Sequence, residues 1–433
     1  MNDAREEIAD GAVFIRGNVI EAVGASGALP ASADVMIDCR NQVLLPGLVN
    51  THHHFFQTLT RATPGGQDAA LFDWLTAHYR IWAKLTPAMM RVAALTAMAE
   101  LILSGCTTAA DHQYLYPRGV TLDDSISAAG EIGMRFHATR GAMTVGRSQG
   151  GLPPDEIVER EGDVMRDYRR LVEAYHDSAP YAMTQIIFAP CSPFSVSQGF
   201  MRETATLARI LDVRLHTHLA ENDSDIVYTR EKFNCTPAQY CEQVEWLGPD
   251  VWHAHCVKLD AAGIELFAKT GTGVAHCPSS NMRLASGIAP IRAMLDAGVP
   301  VGIAVDGSAS NDSSHMLAEV RQALLLQRVA SGPAAMSARE ALSIATRGGA
   351  RVLGRDDFGV LAPGMAADIV GFATDSLEMS GAGADPVAGL VLCAPQRVTT
   401  SVINGRVVVR DGELTTLDLG PHLERHNRMA GSL

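Results

Sequence analysis

The chain has 433 residues, 47% of them hydrophobic and 19% charged, with a formal net charge of −13. That length suits two ordinary domains or one large barrel with an appendage, and the apolar share excludes a disordered chain. The acidic balance without a basic run argues against a nucleic-acid partner, and no apolar window of spanning length escapes a charge or a Pro/Gly break, which argues against a membrane one. The stretch from Met1 to Glu7 is polar and acidic, with no apolar segment of the kind a secretory signal needs. Eight cysteines lie scattered through apolar segments and never form a C-x-x-C. Free thiols in a reducing cytoplasm are the expectation.

Residues 11–25 and 35–44 alternate apolar and polar, with a turn at Gly17-Asn18, and read as strands of a small β-domain. Its N-terminal share is short of a strand, as though the chain began late. The apolar run 43–49 then reads as a buried strand, and Asn50-Thr51-His52-His53-His54 begins where it ends. Alternate side chains of a strand share a face, so His52 and His54 point together and His53 points away. Two imidazoles converging at a strand end are the start of a metal site. Thr86-Pro87 supplies an N-cap and a first-turn proline for a helix running to Leu103.

From there one unit recurs: a helical stretch, a short Gly-containing turn, and a β-rich run ending in polar residues. The runs are 105–112, 133–140, 184–191, 213–218, 251–256, 272–278 and 299–307, eight with the first. Ser337-Ala338-Arg339-Glu340 is a capping box opening a further helix. Strands alternating with helices imply a parallel sheet, and eight such units imply a closed (β/α)₈ barrel of the α/β class, placed at residues 47–355. Residues 401–412 form a hairpin around Asn404-Gly405. Residues 1–46 and 356–433 are therefore expected to build, from both termini, a small β-sandwich-like domain beside the barrel.

Barrels of this kind carry their active sites at the C-terminal ends of the strands. Those positions hold His52 and His54 on the first strand, His218 on the fifth, His255 on the sixth and Asp306 on the eighth. Imidazoles and a carboxylate that leave a position open make a catalytic metal site rather than a structural one. Glu221, three residues after His218, puts another carboxylate at the rim. Asp306 and Glu221 can divide the taking and giving of protons, with His255 orienting or polarising. The fourth strand has no lysine to bridge two ions, so one divalent ion is expected, zinc first and iron second. A single ion with an activated water suits addition to an sp² carbon and loss of ammonia.

Five segments carry a family resemblance: Asn50 to His54, His216-Thr217-His218-Leu219-Ala220-Glu221, Ala254-His255-Cys256, His276 to Asn281, and Val305-Asp306-Gly307-Ser308-Ala309-Ser310-Asn311. Through them the chain resembles the amidohydrolase superfamily, in its cytosine/guanine deaminase-like and chlorohydrolase-like branch, over nearly its whole length. The resemblance implies that His52, His54, His218 and Asp306 hold the metal, that Glu221 carries a proton to a ring nitrogen, and that His255 faces the attacking water or the substrate. Phe55 to Ala62, Leu71 to Leu75, Cys191 to Val196 and Asn281 to Pro290 are most similar to the 8-oxoguanine deaminases of that branch. Hydrolysis of 8-oxoguanine to urate and ammonia is the activity this implies.

Gln57 stands three residues after His54, where guanine deaminases place a base-reading glutamine, and its amide offers both donor and acceptor. Those enzymes also carry an arginine after strand four, where this chain has Cys191-Ser192-Pro193-Phe194. Arg140, Arg283, Trp74 and Cys191 are the other candidate base contacts, with purely structural roles as the alternative for each. Rival readings are a deaminase of isoxanthopterin, guanine or a triazine, a hydrolase releasing chloride or an alkylamine, and a non-catalytic barrel scaffold. The partner expected is a small heterocyclic substrate, bound by a homo-oligomer (dimer or higher).

Overall fold

Eight parallel strands close into a barrel in the computed structural model, which describes residue 4 and residues 6–433. Of the N-terminal stretch read above, Met1, Asn2, Asp3 and Arg5 lie outside the described residues. In chain order the barrel strands are β1 (Leu48–Asn50), β2 (Cys106–Gln113), β3 (Arg135–Ala142), β4 (Thr184–Pro190), β5 (Arg214–Leu219), β6 (Val251–His255), β7 (Gly273–His276) and β8 (Val301–Ile303). Each pairs with its sequence neighbour, and β8 returns to β1. β2 and β3 are buried at every position, the pattern of a sheet covered on both faces.

Among the helices packed around the barrel are α1 (Leu71–Trp82), α2 (Pro87–Leu103), α3 (Met316–Ser331) and α4 (Leu419–Ala430). Thr86 caps α2 by accepting from the Met89 amide at 3.4 Å, and Pro87 opens it. The capping box at Ser337 and Glu340 forms as the sequence suggests.

A second, five-stranded antiparallel sheet joins Gln42–Pro46, Ile369–Ala373, Thr400–Ile403, Arg406–Arg410 and Glu413–Leu414. A hairpin of Gly11–Arg16 and Val19–Ala25 packs against it, Ile20 meeting Ala367, Ile369 and Val402. Asn404 and Gly405 both take positive φ, 49° and 79°, as the tight hairpin turn requires. Two expectations need correction. The run 43–49 is shared: Gln42–Pro46 belongs to the outer sheet and only Leu48–Asn50 to the barrel. Gly47 marks the switch, because a Cβ there would sit 2.0 Å from the Thr107 hydroxyl. Residues 35–41 hold no strand. Among the described residues no helix is long and apolar enough to cross a membrane.

Candidate active site

The histidines gather where β8 meets β1. Beyond the barrel ladder, His53-His54 pairs in parallel with Asp306-Gly307, which brings the two strand ends side by side. His218 comes from β5 and His255 closes β6. His54 Nε2 lies 3.1 Å from His218 Nε2, and His52 Nε2 and His54 Nε2 each lie 3.3 Å from Asp306 Oδ1.

Hydrogen bonds on the far side of each ring fix the tautomers. His54 Nδ1 donates to the His112 carbonyl at 2.7 Å and His218 Nδ1 to the Cys191 carbonyl at 2.6 Å. His52 Nδ1 faces His216 Nε2 at 2.7 Å, and His216 Nδ1 donates to the Trp252 carbonyl at 2.9 Å, so His52 is the donor in that pair. Each of the three rings thus keeps its Nε2 lone pair for the centre. Burial lowers the pKa of all three, that of His218 to about 3, and keeps them neutral.

Lone pairs of His52 and His54 face a carboxylate oxygen with no proton between them, and the buried His52 Nε2 has no hydrogen-bond partner. Such a contact repels unless a cation lies inside it. Atoms about 2.1 Å from one ion sit about 3.0–3.4 Å apart, so the donor set fits a divalent metal. His112 lies in the same cluster, stacked on His218 at 4.8 Å; its Nε2 donates to the Ala189 carbonyl at 2.9 Å, and its buried Nδ1 has no partner among the described residues. His53 turns away and bonds Ser314 at 2.9 Å.

The other half of the site handles protons. Asp306 Oδ2 accepts from Ser280 at 2.5 Å and Ser310 at 3.1 Å. His255 Nδ1 is held by Asn281 Oδ1 at 2.9 Å, leaving Nε2 at 3.6 Å from Glu221 and 3.9 Å from Asp306 Oδ2. Burial pushes the Glu221 carboxyl up to about 7, with His255 opposing. Ala220, His255, Cys256 and Asp306 all have φ between 50° and 71°. Such left-handed backbone at non-glycine residues costs of order 1 kcal/mol or more each, and it clusters where function requires it.

A cavity opens beside these groups, and Gln57, Trp74, Tyr79, Tyr114 and Cys191 line it together with Glu221. Gln57 Oε1 accepts from the Ala309 amide at 3.2 Å, and Trp74 Nε1 donates to the Ala309 carbonyl at 3.1 Å. Gly307 makes room, since a Cβ there would lie 1.9 Å from Gln57 Oε1. Burial pushes the Cys191 thiol up to about 12, so it is a neutral wall group.

Two expected base contacts do not reach the cavity. Arg140 is buried in ion pairs with Glu159 at 2.7 Å and Asp167 at 2.8 Å, and it stacks on Tyr116. Arg283 pairs with Asp312 at 3.1 Å and bonds the Gln67 carbonyl at 2.7 Å. Sequence reasoning did not single out His112, His216, Ser280, Asn281, Tyr79 and Tyr114. His216, Ser280 and Asn281 lay inside quoted motifs, and His112 ends a strand, so a signal existed for those four; Tyr79 had none.

Residues 43–408 match the Amidohydrolase family. The chain is 46% identical to an 8-oxoguanine deaminase of Pseudomonas aeruginosa over 429 residues, covering 99% of this chain and 95% of that one. It is 40% identical over 422 residues to an isoxanthopterin deaminase of an unknown prokaryotic organism, covering 92% and 87%. The crystal structure of atrazine chlorohydrolase TrzN from Arthrobacter aurescens TC1 complexed with zinc superposes with a TM-score of 0.93 at 34% identity, covering 99% and 97%. A barrel with an open His/Asp cluster, matched at this level along nearly its whole length, is a hydrolase that belongs to the amidohydrolase family.

Proposed function

We propose that this hydrolase deaminates a purine-like base, 8-oxoguanine, to urate and ammonia, using one zinc ion held by His52, His54, His218 and Asp306. The observation that carries the reading is the meeting of three Nε2 lone pairs and one carboxylate oxygen at 3.1–3.3 Å, beside a cavity that holds Glu221 and Gln57. The relative at 46% identity supports the substrate. The nitrogen-rich donor set supports zinc, and the absence of a lysine from β4 supports a single ion. Eight free thiols support a reducing, cytoplasmic setting.

The ion, when bound, lowers the pKa of a water molecule towards neutrality. Asp306, its Oδ2 steadied by Ser280 and Ser310, takes the water's proton. His255, fixed by Asn281, orients the water towards the carbon bearing the exocyclic amine. Glu221, protonated near neutral pH, gives its proton to the ring nitrogen next to that carbon. The tetrahedral intermediate collapses as the proton held by Asp306 passes to the leaving amine, and the new hydroxyl returns its proton to Glu221 as the carbonyl forms. Water is consumed and ammonia released.

Ammonia release should be measured at steady state against 8-oxoguanine, isoxanthopterin, guanine and an aminotriazine. The expected result is a kcat/KM for 8-oxoguanine at least about tenfold above the others. A higher value for another compound overturns the substrate, and no ammonia from any of them overturns deamination.

A further inference from the structure

Away from the acid–base corner, the cavity wall can be audited donor by donor. The Gln57 carbonyl is taken by the Ala309 amide, and its NH₂ reaches the Tyr114 oxygen only at 3.5 Å. The Trp74 N–H is spent on the Ala309 carbonyl. Tyr79, from α1, is 2% exposed, lines the cavity, and its hydroxyl has no hydrogen-bond partner among the described residues. Tyr114, just beyond β2, is 3% exposed; its oxygen receives the long Gln57 contact, and its own proton meets no acceptor among the described residues. Among the described residues no lysine or arginine lines the cavity.

A phenol whose hydroxyl opens onto a cavity with its proton uncommitted offers a hydrogen bond to whatever enters. Both phenols can donate at neutral pH, since an ordinary tyrosine hydroxyl loses its proton only near pH 10. A cation in this place would favour an anionic ligand. Neutral donors favour a carbonyl oxygen, whose two lone pairs can accept from two hydroxyls at once. An amine in that position could only donate to a phenol oxygen and would leave the phenol's proton unpaired.

We propose that Tyr79 and Tyr114 are specificity-determining residues that donate their hydroxyl protons to ring carbonyl oxygens, so that the pocket selects lactam-bearing heterocycles. The proposal rests on the cavity binding a purine-like base, as in the reading above, and not on deamination itself.

Three ligands without an exocyclic amine separate the two claims: 6,8-dioxopurine, hypoxanthine, which lacks the 8-carbonyl, and 8-oxopurine, which lacks the 6-carbonyl. Their Kd values should be measured calorimetrically on the full-length wild type, Tyr79→Phe and Tyr114→Phe. Each variant should weaken 6,8-dioxopurine about tenfold and leave at least one mono-carbonyl ligand within about twofold, because the lost hydroxyl matters only where its acceptor is present. A loss under about threefold, or an equal loss for all three ligands, overturns the proposal. So does a wild type that fails to bind 6,8-dioxopurine. Dioxopurine binding without ammonia release from any substrate would overturn the deaminase reading and leave this one standing. Melting temperatures report whether each variant is folded.

Discussion

Three consecutive histidines differ only in what lies behind their rings. His53 bonds Ser314, while His52 is held from behind by His216, which is itself anchored to the Trp252 carbonyl. Replacing His216 with leucine leaves His52 Nδ1 unpaired and its ring free to rotate. Zinc affinity, read by chelator competition, should fall about 10–100-fold with the far-UV spectrum unchanged. An unchanged affinity would remove His216 from this role. The polar strand ends were legible because barrel geometry sends them to one place, and the structure does bring His52, His54, His218, His255, Asp306 and Glu221 together. Arg140 and Arg283 misled because their carboxylate partners, Glu159, Asp167 and Asp312, lie on segments whose proximity only the fold creates.

The first turn of α3 acts as a clamp. Glu319 is 1% exposed and accepts from the Ser279 amide at 3.1 Å and the Asn311 side chain at 2.9 Å, tying together the segments after β7 and β8 that carry Ser280 and Ser310. Burial pushes its carboxyl up to about 7 from 4.5. The folded state therefore favours the protonated form. Its contribution is full below the unfolded pKa and is lost as pH rises through about 7, a swing of about 3 kcal/mol. Glu319→Gln should flatten the fall in melting temperature between pH 5 and pH 8 when both proteins are scanned together; an unchanged slope would contradict this. At this scale helix α2 was readable, since Thr86-Pro87 and a long apolar run leave little alternative. Helix α4 was not, because it buries chiefly His422 and His426, bonded to Thr96 at 2.8 Å and Thr58 at 3.2 Å, and looks like a polar tail. The eighth run was half right: Val301–Ile303 joins the barrel, and Asp306-Gly307 forms a separate ladder.

Across the whole molecule, the barrel and the outer sheet are joined by an ion pair with almost no exposure. Arg135 of β3 meets Asp368 at 3.1 Å, and the same carboxylate accepts from the Asn404 amide at 2.7 Å. Asp368→Ala strands a buried guanidinium and should cost about 3–5 kcal/mol in urea unfolding; a loss below about 1 kcal/mol would show that water reaches the arginine. The joint was invisible in the sequence, since its partners lie 233 residues apart. The barrel's closure is equally long-range and much thinner. Between β3 and β4 the ladder runs from Phe136–Thr184 to Ala142–Pro190, whereas β8 meets β1 at the single pair Ile303–Asn50. The deficit is made up by Thr51, which bonds the Ile303 carbonyl, by Asn50, which accepts from the Val305 amide at 3.0 Å, and by the short rung of His53 on Asp306. The donor cluster straddles this seam, so a cation there works as a clasp on the ring as well as a reagent. Chelation should raise hydrogen exchange at residues 50–54 and 303–307 before it does so elsewhere, and uniform protection would refute that. Loss of a cation held there would then loosen the barrel first at the place where the chemistry is done.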